Sequence, residues 1–237
     1  MKFRALFLLI FLISFASCFA QVSGSDAKYI FKDGNPNGIG KWYLGREIAH
    51  VMGYQGMKWL ERDNREDEEN TSKLLRNMDI APGDTIADIG AGSGHHVFRM
   101  APLVEEGLVY AVDIQDEMLA ALRKKKDDGS NSNIQIVKGS EKSVNLPEDS
   151  VDKALMVDVY HEFSFPVEMI ASIEKALRPD GQIYLIEYRA EDPDVPIKRL
   201  HKMSERQAVK EMETAGFKLK RNLDNLPWQH CMIFIRK

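Results

Sequence analysis

The 237-residue sequence is poor in cysteine, in basic runs and in metal-binding patterns. Cys18 and Cys231 are its two cysteines, which excludes a fold that depends on a disulfide framework. Lys and Arg number 32 against 36 Asp and Glu, giving a formal charge of -4 without a long basic stretch, so nucleic acid is not expected as a partner. HxH, HExxH and CxxC patterns are missing, and adjacent His95 and His96 would diverge by about 100° on a helix, so we predict no metal site.

The N-terminal segment is strongly apolar over residues 5–20, ALFLLIFLISFASCFA, and this run follows Lys2 and Arg4. The run is shorter than the roughly 20 residues of an untilted membrane helix, and it predicts a signal peptide over residues 1–20 with cleavage after Ala20. Two alternatives stay open: residues 15–18 resemble a lipoprotein box in which Cys18 would be lipidated, and an uncleaved run would anchor the chain. The expected location is therefore periplasmic or secreted, with membrane tethering as the alternative.

The rest of the chain is globular in composition, with 44% hydrophobic and 29% charged residues and room for one core domain. Residues 21–70 are interpreted as a cap, with a helix at about 66–78. Over residues 71–237, β-like runs alternate with amphipathic helices, which predicts a doubly wound α/β domain with helices on both faces of an open sheet. The predicted strands are 85–89, 109–113, 134–138, 153–157 and 182–187; the helices lie near 95–103, 117–126, 167–177 and 204–215; segments 217–221 and 231–236 form a terminal hairpin.

Three glycines follow the first predicted strand, in the segment DIGAGSG at residues 88–94. Gly90 and Gly92 let the backbone turn sharply and approach a ligand, and Gly94 lets the next helix begin close to the sheet. The spacing is GxGxG, and His95 stands where the dinucleotide fingerprint requires its third glycine, which argues against a nicotinamide cofactor. A carboxylate at Asp88 would repel a pyrophosphate but can pair with an ammonium group.

A second acidic residue, Asp113, ends the next predicted strand. A carboxylate at this place can accept both hydroxyls of a ribose. Taken alone, Asp113 is equally a helix N-cap or a solvated strand end, but the neighbouring glycine turn favours the ligand interpretation. A ligand with a ribose diol, a cationic amino acid end and no phosphate is S-adenosylmethionine (SAM).

From about residue 83 to the C-terminus, the sequence resembles class I SAM-dependent methyltransferases of the group that includes ubiquinone-biosynthesis methyltransferases. The resemblance rests on DIGAGSG at 88–94, VDI at 112–114, LP and SVD at 146–152, and LRPDG at 177–181. It implies a Rossmann-like, seven-stranded sheet with an antiparallel C-terminal strand, and S-adenosyl-L-methionine as cofactor.

The resemblance also implies which residues contact the cofactor. Asp88 and the glycines would line the methionine moiety, Asp113 would hold the ribose, and Ile114 would pack on the adenine. Many relatives place an aspartate after the third strand, whereas this chain has Ser140 and Glu141, of which Glu141 would substitute. The residues predicted to bind the cofactor are Asp88, Gly90, Ala91, Gly92, Gly94, Asp113, Ile114, Ser140, Glu141 and Asp158.

The fourth predicted strand leads into DVYHE at residues 158–162, which brings polar groups to the sheet edge where the methyl group would face its acceptor. The predicted catalytic residues are His161, as a general base, and Tyr160, which would orient a substrate hydroxyl or amine. The alternative is catalysis mainly by alignment of the acceptor, with His161 only hydrogen-bonding the cap or cofactor. Glu187 and Tyr188 form a second candidate wall.

The function predicted from these features is direct SN2 transfer of a methyl group from SAM to a small-molecule acceptor. Signatures of amino-methylating nucleic-acid enzymes and of cytosine-C5 enzymes are missing from the fourth strand. The alternatives are a non-catalytic SAM- or nucleoside-binding module whose cap contacts a partner, and a dehydrogenase, which the GxGxG spacing disfavours. The cap residues suit either a lid over a lipophilic acceptor or docking of the cap on the sheet. They are Trp42, Tyr43, Met52, Tyr54, Met57 and Trp59.

Overall fold

The computed structural model describes residues 28–129 and 132–237. The predicted signal peptide and the alternative lipidation site at Cys18 lie outside these residues and stay predictions. Within the described part of the chain, no helix combines the length and the apolar character that a membrane crossing requires.

The cap contains a small antiparallel sheet that the sequence analysis did not predict. Its strands are β1 (Ile30–Phe31), β2 (Gly38–Tyr43) and β3 (Arg46–Ala49). Tyr29, Tyr43 and Ile48 are buried here and pack against Phe165 and Val167 of the main body. The cap therefore has regular structure and a small apolar cluster of its own, while the boundary placed between residues 70 and 71 stays a prediction.

Three short helices connect this sheet to the main body: α1 (Met57–Leu60), α2 (Arg65–Glu68) and α3 (Thr71–Asn77). The single helix predicted at 66–78 is wrong, because the chain breaks between α2 and α3. Asn70 adopts a φ of 55°, in the left-handed region, and its side chain accepts a hydrogen bond from the Lys73 N–H. Asparagine tolerates this conformation and caps helices well, so Asn70 ends one helix and begins the next.

The described residues form a seven-stranded sheet in the main body, which confirms the predicted fold class. The order is β6-β5-β4-β7-β8-β10-β9; the first five strands are parallel, and β10 and β9 run antiparallel to their neighbours. The strands are β4 (Thr85–Ile89), β5 (Leu108–Asp113), β6 (Ile134–Lys138), β7 (Val151–Val157), β8 (Leu177–Tyr188), β9 (Phe217–Asn222) and β10 (Gln229–Arg236).

Helices cover both faces of this sheet. Because successive residues of a buried strand point to opposite faces, apolar side chains on both faces need a covering layer. Ile86 and Ala87, neighbours in β4, enter separate buried clusters. One cluster includes residues of α3, α4 and α5, and the other includes residues of α6 and α7. The first helix predicted in the main body is shorter than expected, since its last three residues, Ala101–Leu103, form a 3₁₀ turn. These helices are α4 (Val97–Met100), α5 (Asp116–Asp128), α6 (Pro166–Ala176) and α7 (Glu205–Thr214).

A buried ion pair docks the cap onto the main body. The Arg46 guanidinium donates from Nε to Glu211 Oε1 at 2.7 Å and from Nη2 to Oε2 at 2.9 Å. Its Nη1 donates to the backbone oxygen of His161 at 3.0 Å, and the Glu211 side chain is fully buried. β3 is thereby connected to α7 and to the turn that follows β7.

We expect Arg46→Met to lower the free energy of unfolding by about 3–5 kcal/mol, because it leaves the Glu211 carboxylate buried without its cation. Urea denaturation measures this change. The control is Lys138→Met, which removes the exposed pair between Lys138 and Asp116 and should cost less than about 1 kcal/mol. Equal effects of the two substitutions would contradict the role given to Arg46.

Candidate functional site

A cavity of about 390 Å³ lies at the carboxyl ends of the parallel strands. Each of these five strand ends contributes a lining residue: Gly90 after β4, Asp113 in β5, Gly139 after β6, Asp158 after β7 and Tyr188 in β8. The chain passes from β4 outward to β5 and β6 and then returns to β7 on the other side of β4. The cavity therefore occupies the topological switch point, where open α/β sheets bind ligands.

The glycine turn forms part of the cavity wall. Gly90 has a φ of 76°, and a Cβ atom there would lie 2.5 Å from Cγ2 of Val159. Both the backbone conformation and the close approach therefore require glycine at this position. Gly92 also lines the cavity, whereas Gly94 packs against Phe98 and Leu122, as expected for a residue that lets a helix start near the sheet. Ala91 is buried and does not line the cavity.

Asp113 connects the glycine turn to the beginning of α5. Its Oδ2 accepts from the Gly92 N–H at 2.8 Å, and its Oδ1 accepts from the Gln115 N–H at 2.9 Å. Burial raises the pKa of Asp113 above its ordinary value, although these two N–H groups oppose the shift. Asp113 is not the N-cap of α5, which is Gln115, so this alternative from the sequence is not what the structure shows. Asp113 lines the cavity, as do Ile114, Ser140 and Glu141.

Asp88 lies behind the glycine turn and does not line the cavity. Its side chain is buried, and Oδ2 has no hydrogen-bond partner among the described residues. Burial raises its pKa to about 7; nearby Arg65 opposes this shift and the charge of Asp113 adds to it. The resemblance implied that Asp88 touches the methionine moiety of the cofactor directly. In the structure, Asp88 does not lie on the cavity wall where such a contact would form.

Asp158 lies on the cavity wall in a strained conformation. Its φ is 50°, and of the non-glycine residues described with a positive φ it is the one that lines the cavity. Oδ2 accepts from Gln229 Nε2 at 2.6 Å, while buried Oδ1 has no partner within the described residues. Burial raises the pKa of Asp158 well above its ordinary value, and the charges of Glu69 and Glu187 add to this.

Of the two predicted catalytic residues, the structure brings His161 to the cavity and Tyr160 into the core. His161 lines the cavity, and its Nδ1 lies 2.6 Å from Glu187 Oε2. Burial lowers the pKa of His161, but the carboxylates of Glu187 and Glu162 outweigh burial and raise the pKa to about 10. Tyr160 is 1% exposed and donates its hydroxyl to Glu211, so its predicted contact with an acceptor has no basis in this structure.

A buried network around Glu69 ties the cap to the end of β8. Glu69 accepts from Arg65 Nε at 2.7 Å, from Arg62 Nη2 at 2.5 Å and from the Tyr188 hydroxyl at 2.7 Å. Burial raises the pKa of Glu69, but Arg65 and the other donors outweigh it and hold the pKa below its ordinary value. Arg65 and Tyr188 line the cavity. In the sequence, only the charged character of residues 61–70 pointed to this network.

Glu162 and His201 both line the cavity, and neither was predicted from the sequence as a site residue. They lie beside His161, although His201 is 40 positions away in the chain. Met52 of the cap donates its backbone N–H to Glu162 Oε1 at 3.0 Å. Met52 and Trp59 also line the cavity, whereas Tyr43 belongs to the buried cluster of the cap. Two of the six predicted cap residues, Met52 and Trp59, therefore lie where a lid would touch a ligand.

Comparisons with known proteins give a consistent family. A family model described as a methyltransferase domain matches residues 80–228. The chain is similar to the uncharacterized methyltransferase YcgJ of Bacillus subtilis, at 24% identity over 164 residues that cover 68% of this chain and 64% of YcgJ. It is also similar to the ubiquinone/menaquinone biosynthesis C-methyltransferase UbiE of Teredinibacter turnerae, at 28% identity over 46% of this chain and 45% of UbiE. The chain thus spans less than two thirds of these relatives.

A solved structure shares the fold. It is described as a SAM-dependent methyltransferase from Aquifex aeolicus, and its TM-score with this chain is 0.74 at 23% sequence identity. The alignment covers 79% of this chain and 100% of the other. At this identity the likeness establishes the fold alone.

We expect Asp88→Asn to change how stability depends on pH. The pKa of Asp88 is raised to about 7 in the folded state, so the wild type loses stability as pH rises from the unfolded pKa near 4 to about 7. The asparagine variant lacks this loss, and its stability relative to wild type should rise with pH by up to about 1.4 kcal/mol per unit in this window. Urea unfolding at pH 5 and pH 8 measures the effect. The prediction is contradicted if the difference in unfolding free energy between the variant and the wild type is the same at both pH values. It is also contradicted if the exposed control Asp116→Asn shows an equal rise with pH.

Proposed function

Because the chain belongs to the methyltransferase-domain family, we propose that it is a SAM-dependent methyltransferase that acts on a small-molecule acceptor. The observation on which the proposal rests is the cavity at the switch point, where the glycine turn and two strand-end carboxylates meet beneath the cap. Its volume of about 390 Å³ lies within the range of small-molecule sites. The matched relatives support methyl transfer as the reaction class.

The residues present fit S-adenosylmethionine as the cofactor. When bound, it supplies an electrophilic methyl group on a positively charged sulfur. Asp113 would accept the ribose hydroxyls through the lone pairs that its two backbone N–H bonds leave free. Gly90 offers backbone without a side chain, so the ligand can approach closely, and Ile114 offers an apolar surface for the adenine.

Asp158 is the group best placed to receive the ammonium of the cofactor. Its Oδ1 is buried without a partner among the described residues, and an unpartnered buried oxygen is costly until a donor reaches it. An ammonium group would supply both the donor and the compensating charge. In this proposal Asp158, a residue of the cavity wall, pairs with the ammonium group in place of Asp88.

The cap contributes residues to the wall of the site. Met52, Trp59 and Leu60 of the cap line the cavity, and the Glu69 network connects α2 to the end of β8. A largely apolar cavity beneath the cap can hold the acceptor in line with the methyl group, which is the main requirement of direct SN2 transfer. The apolar lining favours an acceptor with a lipophilic part.

Calorimetric titration of the full chain with SAM, S-adenosylhomocysteine and NAD tests the proposal. We expect binding of the first two on the order of micromolar, and none of NAD. Formation of S-adenosylhomocysteine in metabolite extracts then tests turnover. Folded protein that binds neither SAM compound would overturn the proposal, and binding without turnover in any extract would favour the non-catalytic module.

We expect Asp113→Ala to weaken SAM binding by about ten- to a hundredfold, because it removes charge-assisted hydrogen bonds to the ribose. The same titration measures this change, with circular dichroism to verify folding. Glu117→Ala, at an exposed position near the start of α5, is the matched control and should leave affinity unchanged. Unchanged affinity in a folded Asp113 variant would remove this residue from the site.

A further inference from the structure

Three donor atoms converge at the end of the cavity that β7 and the segment after β8 form. They are Nε2 of His161, Oε1 of Glu162 and Nδ1 of His201. The two nitrogens lie 3.1 Å apart, within hydrogen-bond distance of each other. The Glu162 oxygen lies 3.7 Å from the His161 nitrogen and 3.4 Å from the His201 nitrogen. Both oxygen–nitrogen distances exceed the usual hydrogen-bond length, and the carboxylate lies between the two rings within ion-pair distance of each.

The dimensions of this triangle match the coordination of a zinc ion. Tetrahedral zinc with ligands at about 2.0–2.1 Å holds neighbouring ligand atoms about 3.3–3.4 Å apart. The three observed edges, 3.1, 3.4 and 3.7 Å, are centred on that value. A point about 2.1 Å from all three atoms lies roughly 0.7 Å out of the plane of the triangle, as a tetrahedral zinc ion with one open position requires.

Neighbouring groups hold two of the three side chains in place. Glu187 accepts from the His161 backbone N–H with one oxygen, and its other oxygen lies 2.6 Å from His161 Nδ1, which directs Nε2 of the ring toward the triangle. The Met52 N–H donates to Glu162 Oε1 from the cap. A carboxylate behind a ligating histidine is the usual outer partner of a zinc site, since it sets the ring tautomer and orientation.

Charge and access also agree with a bound dication. Glu162 and Glu187 together place two negative charges around the triangle, and both carboxylates are buried. All three donor residues line the cavity, and His201 has the most exposed side chain of the three, so an acceptor in the cavity lies on the side from which the fourth position would be filled. Three protein ligands with one open position form the arrangement of catalytic zinc sites.

We propose that His161, Glu162 and His201 bind a zinc ion, and that its open position takes the hydroxyl or thiol group of the methyl acceptor. The second part rests on the proposed function; the first stands without it. Zinc favours loss of the acceptor's proton to solvent water and holds the resulting oxygen or sulfur anion in the cavity. In this proposal His161 is a zinc ligand and not the general base that was predicted from the sequence. The proposal also differs from the expectation that the chain has no metal site.

Zinc counting on the untagged full-length chain tests the site. After equilibration with zinc and dialysis, mass spectrometry should find about one zinc per chain. His201→Ala and Glu162→Gln should reduce the bound zinc to background, while His50→Ala, which removes an exposed histidine outside the triangle, should retain it. Substoichiometric zinc in folded wild type, or full zinc in both triangle variants, would overturn the site.

Cobalt substitution tests the geometry and the open position. Cobalt in the wild type should give the intense visible absorption of a tetrahedral ion, and this spectrum should shift when ethanethiol or phenol is added. A cobalt spectrum that neither compound changes would overturn the acceptor assignment. SAM titration of the same samples separates the two proposals: zinc without SAM binding contradicts the proposed function alone, and SAM binding without zinc contradicts the metal site alone.

Discussion

The burial of carboxylates at one edge of the sheet is the constraint on which the rest of the site depends. Asp88, Asp113, Glu162 and Glu187 are all buried around the carboxyl ends of the parallel strands, with Asp158 on the cavity wall among them. Ionised carboxylates out of water are costly unless cations or hydrogen-bond donors reach them. The fold supplies part of this compensation through backbone N–H groups, and a cationic cofactor and a metal ion would supply more.

The cap takes part in this compensation and does more than cover the cavity. Arg46 comes from the small sheet and neutralises Glu211, next to the turn that presents His161. Arg65 comes from α2 and pairs with Glu69, which also receives the Tyr188 hydroxyl at the end of β8. The Met52 N–H reaches Glu162. The site is thus assembled from both parts of the chain, and its electrostatic balance would fail if the cap separated from the sheet.

Local sequence patterns were sufficient for most of the main body because its strands and helices are set by short-range periodicity. The predicted strands 85–89 and 134–138 agree with β4 and β6 at both ends, and the glycine turn lies where the motif indicated. The helix predicted at 66–78 failed because a single asparagine in a left-handed conformation divides it. The strands of the cap were missed, since they are short and interrupted by glycine, asparagine and turn residues that weaken any alternation.

The sequence by itself determined the doubly wound sheet, the turn at residues 90–94 and the placement of Asp113 and His161 at the ends of strands, because each follows from neighbours within a few residues. Only the tertiary structure decided which of these side chains face the cavity. It turned Tyr160 toward Glu211, left Asp88 behind the turn, and brought His201 to His161 across 40 positions. The physical reason is that burial and charge pairing join residues from separate elements, and no local period encodes which distant partner a buried polar group will meet.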